Sequence, residues 1–453
     1  MATRPTVKTL TNSSVDILNV IRENATQNYQ DYVPKATKDA DSIRQIGAII
    51  MDYPSLQNEF LSALVNRIGR VLITSKMYSN PWASFKKGML EMGETIEEIF
   101  VNIAKPYQFD PAVAESNLFK REIPDVRAAF HIMNYQKYYK ATISNDQLRQ
   151  AFLSWQGITD LIAKIVDAMY TGANYDEFIT MKYLMARHIL DGHMKPFEIP
   201  AVATDSLKEI TSTIKGVSNN FEFLSNDYNL AGVYTFTNKS DQYMIVNSLF
   251  DAKMDVEVLA SAFNMSKAEF MGNRVMIDSF GSLDLARLKE LFADDPTFIL
   301  PTEEELKALD EIPAVIVDKD WFMIFDNYFN FTEQYNGEGL YWNYWYHVWK
   351  TFSVSPFANN ALFIPGKPAV TGVDVSPKIV TAKVGQDVQF KAKVTTDNFA
   401  SQAVKWSTNS AQAVVDASGK VTLLKGATSA ITVTATSVFD DSKNGVATIN
   451  VES

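Results

Sequence analysis

Residues 339–354 read GLYWNYWYHVWKTFSV, and the period of that stretch decides the fold class. Leu340, Trp342, Tyr344, Tyr346, Val348, Phe352 and Val354 share one face at a step of two, while Tyr341, Asn343, Trp345, His347, Trp349 and Thr351 share the other. Aromatic and β-branched residues at this step predict a strand, and aromatics on both faces predict that protein covers both. Asn336-Gly337-Glu338-Gly339 just ahead of it is a turn signal. A long strand buried on both sides needs layers above and below, so the chain up to residue 365 reads as an α+β body.

The text changes at Gly366. All 19 Tyr, 16 Met and 4 His, and every Arg, lie before it, the last of each being Tyr346, Met323, His347 and Arg287. Beyond it Val388, Phe390, Ala392 and Val394 alternate with Gln389, Lys391 and Lys393, and Ile431, Val433 and Ala435 alternate with Thr432, Thr434 and Thr436. With Gly385, Gly419 and Gly426 between the runs, this predicts a β-sandwich of about 80 residues with Trp406 as its large buried side chain. A chain of 453 residues has room for more than one core.

Working back from the long strand, 314–317 and 321–325 read as strands flanking a turn at Asp318-Lys319-Asp320, 274–280 as strand-like and 255–263 as a helix. The strongest helix starts at Ser144, with Gln147 as its capping-box partner. Leu148, Phe152, Trp155, Ile162, Val166 and Met169 recur along it at steps of three, four or seven. Gly172 reads as its C-cap, and Asn174 with Glu177 as the start of a second helix that runs to Gly192. Phe60, Leu64 and Ile68 predict an amphipathic helix. Asn80-Pro81, Lys86-Lys87-Gly88 and Gly93 punctuate short alternating runs that resume at 95–100. These read as a β-hairpin projecting from the body, with an ordinary surface hairpin as the plainer alternative. The polar first 45 residues read as one short helix within an extended arm.

The formal charge is −11, and the acidic surplus lies in residues 1–365, net −13, against +2 in the tail. Such a body lacks the clustered Lys and Arg that grip phosphate backbones. The absence of cysteine excludes disulfides, thiolate zinc sites and cysteine nucleophiles. Residues 1–20 show no apolar h-region, so no secretory signal is read, and nowhere do 18 apolar residues run together.

Catalytic patterns are missing too. His188 and His193 straddle Asp191-Gly192 at a helix end with no HExxH arrangement, and buried or capping roles suit them better than metal ligation. Ala417-Ser418-Gly419-Lys420 lacks the upstream glycine of a phosphate loop. Glu303-Glu304-Glu305 after Pro301-Thr302 is explained by the charge preference of a helix start. Asp318 and Asp320 are explained by a tight turn better than by a cation. No catalytic, cofactor or metal residue is assigned.

The ordered set of segments carries more. Asn58-Glu59-Phe60 to Arg67-Ile68-Gly69, Phe85-Lys86-Lys87-Gly88 with Thr95-Ile96-Glu97-Glu98-Ile99, and Asp255-Val256 to Phe263-Asn264-Met265 form its first half. Val317-Asp318-Lys319-Asp320-Trp321-Phe322-Met323 and Gly339-Leu340-Tyr341-Trp342-Asn343-Tyr344 complete it. Together, over roughly residues 15–365, they resemble the major capsid proteins of phi-29-like short-tailed phages (Picovirinae type). The tail resembles the bacterial immunoglobulin-like group 2 domain through Val404-Lys405-Trp406-Ser407, Asp416-Ala417-Ser418-Gly419-Lys420-Val421, Gly426-Ala427 and Ile431-Thr432-Val433-Thr434-Ala435. Members of that capsid group carry such a domain at this end.

The resemblance implies a tailed-phage capsid fold (Hong Kong ninety-seven type) followed by an all-β immunoglobulin-like sandwich. On that reading residues 1–55 are the N-terminal arm and 56–365 the body. The E-loop falls at about 72–108, the spine helix of the peripheral domain at about 145–171, the axial domain at about 195–335 and the peripheral return strand at 340–364. Residues 366–453 are the immunoglobulin-like domain. The implied protein is assembled in the host cytoplasm and resides in the virion. It self-associates into hexameric and pentameric capsomers of an icosahedral or elongated head. Its implied partners are a separate scaffolding protein, a portal or connector, and double-stranded DNA enclosed without specific binding. The tail domain is expected on the outer surface, where tightening contacts between capsomers is preferred to binding host-surface glycans. A head fibre or a host-surface glycan is the further partner to be weighed, and neither cofactor nor membrane is implied.

Trp82, Phe85, Lys86, Lys87, Glu97 and Glu98 are the residues expected between subunits, the lysines meeting acidic patches of the adjacent body. The competing reading is a cell-surface or wall-associated adhesin, which needs a signal and an anchor. A glycan-active enzyme would need a carboxylate pair in a cleft, and nothing nominates one.

Overall fold

The computed structural model describes residues 18–56 except 20, 24, 38 and 54, then 78–90, 95–110, 121–144, 157–257 except 204, 273–339, and 341–452 except 428 and 429. The helix expected through Phe60, Leu64 and Ile68, residues 145–156 of the expected long helix, and residues 258–269 lie outside them. Ser144, read as the start of that helix, instead ends a strand. The helices are α1 (Gln27–Tyr32), α2 (Ala40–Asp52), α3 (Gly157–Leu190), α4 (Leu207–Asn220), α5 (Ser248–Glu257), α6 (Leu285–Leu291) and α7 (Glu303–Asp310). The body strands are β1 (Lys86–Met89), β2 (Ile96–Val101), β3 (Val126–His131), β4 (Tyr135–Ser144), β5 (Pro196–Ile199), β6 (Gln242–Asn247), β7 (Asn273–Ile277), β8 (Ala314–Asp318), β9 (Phe322–Asn336), β10 (Tyr341–Val354) and β11 (Asn360–Pro365).

The described part of the expected arm, from residue 18 on, is helical and packed, not extended. Ile21, Tyr29, Val33, Ala36, Ile46, Ile50 and Leu56 bury one another around α1 and α2. The Arg22 guanidinium caps the C-terminal end of α1 by donating to the Val33 and Gln30 carbonyls at 2.7 and 2.8 Å.

Helix α3 runs through Gly172 without a break. A Cβ there would stand 3.5 Å from the Tyr139 ring, an ordinary contact, so nothing makes the chain turn. The helix stops at Gly192, whose φ of 67° starts a left-handed end. The Gly192 and His193 amides donate back to the Ile189 and His188 carbonyls at 3.0 and 2.9 Å, the paired bonds that close a helix C-terminus. Met169, Ile179, Met181, Met185 and Ile189 are buried along α3, and so are Asp176, Glu177, Thr180 and Lys182. A helix enclosed on several sides shows no clean amphipathic stripe.

The larger body strands form two sheets. The five-stranded sheet has the order β5-β11-β8-β6-β7. Met244, Val246, Ala314, Ile316, Ala361 and Phe363 point from one face into a core shared with Ile210, Ile214 and Val217 of α4 and Phe250 and Met254 of α5. Their neighbours Ile245, Val315, Val317, Leu362 and Ile364 are buried on the opposite face, which explains why these strands read as continuous apolar runs. The four-stranded sheet, β1-β9-β10-β4, contains the long aromatic strand as an inner member. Its rings meet ring after ring: Trp349 lies 4.8 Å from Tyr328, Tyr346 4.5 Å from Tyr170, and Trp342 5.1 Å from Tyr335.

β8 and β9 do not pair with each other. The turn at 319–321 carries the chain from one sheet to the other, held by the Lys319 amide donating to the Asp241 carbonyl at 2.8 Å.

The tail strands are β12 (Ala369–Ser376), β13 (Ile379–Lys383), β14 (Asp387–Gln389), β15 (Lys391–Asp397), β16 (Val404–Thr408), β17 (Ala413–Val415), β18 (Lys420–Leu423), β19 (Ile431–Ser437) and β20 (Asn444–Glu452). They form sheets β13-β20-β19-β16, β14-β18-β17 and β12-β15. Val388, Phe390, Ile431, Val433, Ala435, Ala447 and Ile449 fill the core between them. Phe390 is the fully buried large ring. Trp406, expected as the buried anchor, is only partly buried; its indole lies against Gly419, where a Cβ would stand 2.7 Å away.

Candidate assembly surface

β2 and β3 form a two-stranded antiparallel ribbon with Glu97 opposite Phe130, Ile99 opposite Ala128 and Val101 opposite Val126. Residues opposite one another share a face, so these six make one face and Ile96, Glu98, Phe100, Arg127, Ala129 and His131 make the other. The second face is seated on its own subunit. Phe100 stacks on Phe357 at 5.5 Å. Ser355 Oγ donates to Glu98 Oε1 at 2.8 Å, and His131 lies between Glu98 Oε2 (3.2 Å) and Ser353 Oγ (2.7 Å). The Arg127 guanidinium donates to the Ala231 carbonyl and to Asp125. That hydrogen bond, with a second from Asn102, holds the Asp125 carboxyl below the usual carboxylate range.

The first face meets water in the isolated subunit. Ile99, Val101, Val126 and Phe130 are 59, 60, 54 and 62 % exposed. Towards the tip of the ribbon Phe109 and Ile123 reach 89 and 90 %. Single exposed apolar residues are ordinary, but a contiguous strip on a seated ribbon marks an interaction surface. A second exposed apolar segment joins it: Phe223, Leu224, Tyr234 and Phe236 lie on the loop after α4, where the Tyr234 amide donates to Asn102 Oδ1 at 3.2 Å.

The sequence-expected residues divide around this surface. Trp82 and Phe85 are 0 and 2 % exposed. Trp82 packs on Phe178 and Phe322 at 5.5 and 5.8 Å, and Phe85 on Tyr243 and Phe322 at 5.0 Å each. Both are core side chains of their own subunit, because the 3₁₀ turn Ala83–Phe85 folds them inwards.

Lys86 belongs to a buried four-charge cluster. Its Nζ lies 2.6 Å from Asp326 and 3.2 Å from Glu177, while Lys350 pairs with Glu177 and lies 3.0 Å from Asp326. Asn80 Nδ2 donates to Glu177 Oε1 at 2.5 Å. Burial opposes the Lys86 charge, but the Asp326 hydrogen bond and both carboxylates outweigh it and raise its pKa above the ordinary lysine value. Burial likewise opposes the charge of Glu177, yet Lys350, Asn80 and Lys86 bring its pKa below the ordinary value. β1 runs parallel to β9 and β2 pairs with β3, so β1 is not the outgoing strand of a hairpin with β2.

Lys87 pairs with Asp320 and donates to the Lys319 carbonyl at 2.9 Å. Glu98 faces inward in the ribbon seat, and Glu97 stands on the exposed face.

Sequence reasoning missed Ile99, Val101, Val126 and Phe130 as an exposed apolar strip. The alternation in IEEIFV was visible, but its partner VRAAFH follows only after residues 102–125.

A second buried network steadies α3. Arg287 grips Asp176 with two bonds of 2.8 and 2.9 Å, and Tyr139 Oη donates to Asp176 at 2.7 Å. His188 packs against Trp321 and His193 at 5.6 and 5.4 Å, and burial depresses its pKa to about 4. Among the described residues no cluster of three or more His, Cys, Asp or Glu is arranged to hold a metal ion.

Comparison with known proteins places this geometry. The family model described as Phi29-like phage major capsid protein matches residues 18–364, and that of the bacterial Ig-like domain (group 2) matches residues 369–446. The major capsid protein of Bacillus phage B103 is 37 % identical over 431 residues, 93 % of this chain and 90 % of the relative. That of Bacillus phage PZA is 38 % identical over 399 residues, 87 % of this chain and 83 % of the relative. In the capsid structure of Staphylococcus phage Andhra, a chain superposes with a TM-score of 0.53 at 17 % identity, covering 66 % of this chain and 87 % of that one. At that identity the likeness establishes the capsid fold alone.

Proposed function

The chain belongs to the Phi29-like phage major capsid protein family, and from that membership we propose how it builds its shell. It is a major capsid protein, located in the virion, whose copies associate into the capsomers of a phage head. The β2–β3 ribbon serves as the E-loop: its polar face stays on the parent subunit and its apolar face lies on a neighbouring copy. The observation that carries this reading is the contiguous exposed strip of Ile99, Val101, Val126 and Phe130 on a ribbon whose other face is already engaged. Fully burying one such side chain contributes roughly 1.5–3 kcal/mol, and these begin about half exposed. A closed shell repeats the contribution at every subunit.

Trp82, Phe85 and Lys86 are excluded from this interface because their partners lie within the subunit, and Glu97 is retained at its polar edge. The arm, axial and return-strand divisions expected from the sequence carry over as the domain plan, whereas the E-loop moves from about 72–108 to the ribbon of 96–101 and 126–131, and α3, the spine, runs on past 171 to Leu190. The acidic body encloses DNA without gripping it, since contact releases few counterions. The chain performs no catalysis. A separate scaffolding protein directs assembly and a portal fills one vertex, by analogy with the fold. Electron microscopy of the purified chain, with and without the scaffolding protein encoded by the same phage, tests the scaffold dependence. Uniform shells are expected only with the scaffold, and uniform shells from the chain alone would overturn this part of the proposal.

A further inference from the structure

We infer that the immunoglobulin-like domain is locked to the C-terminal end of α3 as a fixed brace of the subunit. It is not a tethered module free to swing. The connection is short: β11 ends at Pro365 and β12 starts at Ala369, leaving three residues, far fewer than a flexible linker needs. It is pinned where it leaves the body, since the Gly366 amide donates to the Ile199 carbonyl at 3.3 Å and the Lys367 carbonyl accepts from Asn398 Nδ2 at 2.9 Å.

The second attachment is the loop between β15 and β16. A Cβ on Gly192 would stand 2.5 Å from the Ala400 carbonyl oxygen, 3.0 Å from the Gln402 amide and 3.1 Å from Ser401 Cα. Only glycine permits that approach. Gln402 Nε2 donates to the Leu190 carbonyl at 3.0 Å, one of the carbonyls a helix end leaves without an internal partner. The loop is held in shape for this contact: Asn398 and Phe399 have φ of 50° and 55°, a conformation rare for a bulky side chain, and Ala400 is fully buried. With the linker pinned at Gly366 and Lys367 and the loop 398–402 seated on the helix end, the domain cannot rotate about the linker without breaking these contacts. Gly192 therefore has two roles, ending the helix and admitting the tail loop.

The chain lacks cysteine, so Asp441→Cys gives a single labelling site on an exposed tail turn. Nanosecond anisotropy decay of a dye there, in the unassembled full-length chain, reads the motion of the domain directly. The lock predicts one slow correlation time for the native sequence, that of the whole subunit. Gly192→Val should add a fast component as the domain swings free. Gly192→Asn tolerates the left-handed backbone yet brings a Cβ against Ala400, and should do the same should the valine variant fail to fold. A fast component in the parent, or none in either folded variant, would overturn the lock. The readout requires no shell, so its outcome is independent of the assembly proposal.

Discussion

Replacing Ile99, Val101 and Phe130 together by aspartate is expected to give a soluble, folded subunit that forms no closed shells. In the free subunit all three side chains already face water, and the ribbon remains seated by Phe100, Glu98, Arg127 and His131 on its other face. Against a neighbour each aspartate removes an apolar contact and buries a carboxylate without a partner, which costs several kcal/mol per group. The penalty recurs at every subunit, so the loss of particles should exceed tenfold. Sedimentation velocity separates subunits from shells, and circular dichroism checks that the variant is folded. Shell yields matching the parent would show that this face is not an interface.

The second large effect lies in the interior. Lys350→Met should lower the unfolding free energy of the unassembled chain by about 3–5 kcal/mol, because it leaves the four-charge cluster of Lys86, Glu177, Asp326 and Lys350 with an uncompensated buried carboxylate. Glu177→Gln leaves the opposite imbalance and should cost a similar amount. The two changes combined keep the 2.6 Å Lys86–Asp326 pair and restore neutrality, so the double variant should be less destabilised than the sum of the singles. Glu177 has a depressed pKa, so its contribution is fully present above the unfolded carboxylate value near about 4.3 and is lost as pH falls through its folded value. Lys86 has a raised pKa, so its contribution is present below the unfolded lysine value near about 10.4 and is lost as pH rises through its folded value. The gap between parent and Lys350→Met should therefore be wide above roughly pH 5 and narrow in acid, as Glu177 takes up its proton. Urea unfolding at pH 7 and pH 3 measures it, and strictly additive single and double variants would dissolve the cluster as an energetic unit.

These two sites also mark what the sequence could and could not convey. The aromatic strand at 341–354 and the alternating tail strands were legible because a period of two belongs to the strand itself and shows whichever part of the chain covers it. The end of α3 was misjudged at Gly172, since a glycine inside a buried helix and one ending it look alike until the contact beyond the Cα is known. Trp82 and Phe85 follow an Asn-Pro turn and so resemble loop-tip residues, yet a single 3₁₀ turn sends both inward. Glu177 and Lys350 could not be paired by reading, because 173 residues separate them and isolated charges are normally solvated. The ribbon was half visible: β2 stood out, but its partner β3 was hidden by the distance along the chain.

A reconstruction of the assembled head at side-chain resolution decides the matter most directly. Ile99, Val101, Val126 and Phe130 should each lie within van der Waals contact of a neighbouring copy, while Trp82, Phe85 and Lys86 keep the partners they have in the single subunit. A shell in which that strip faces solvent, with the subunits joined elsewhere, would refute the ribbon as the element that holds the shell together.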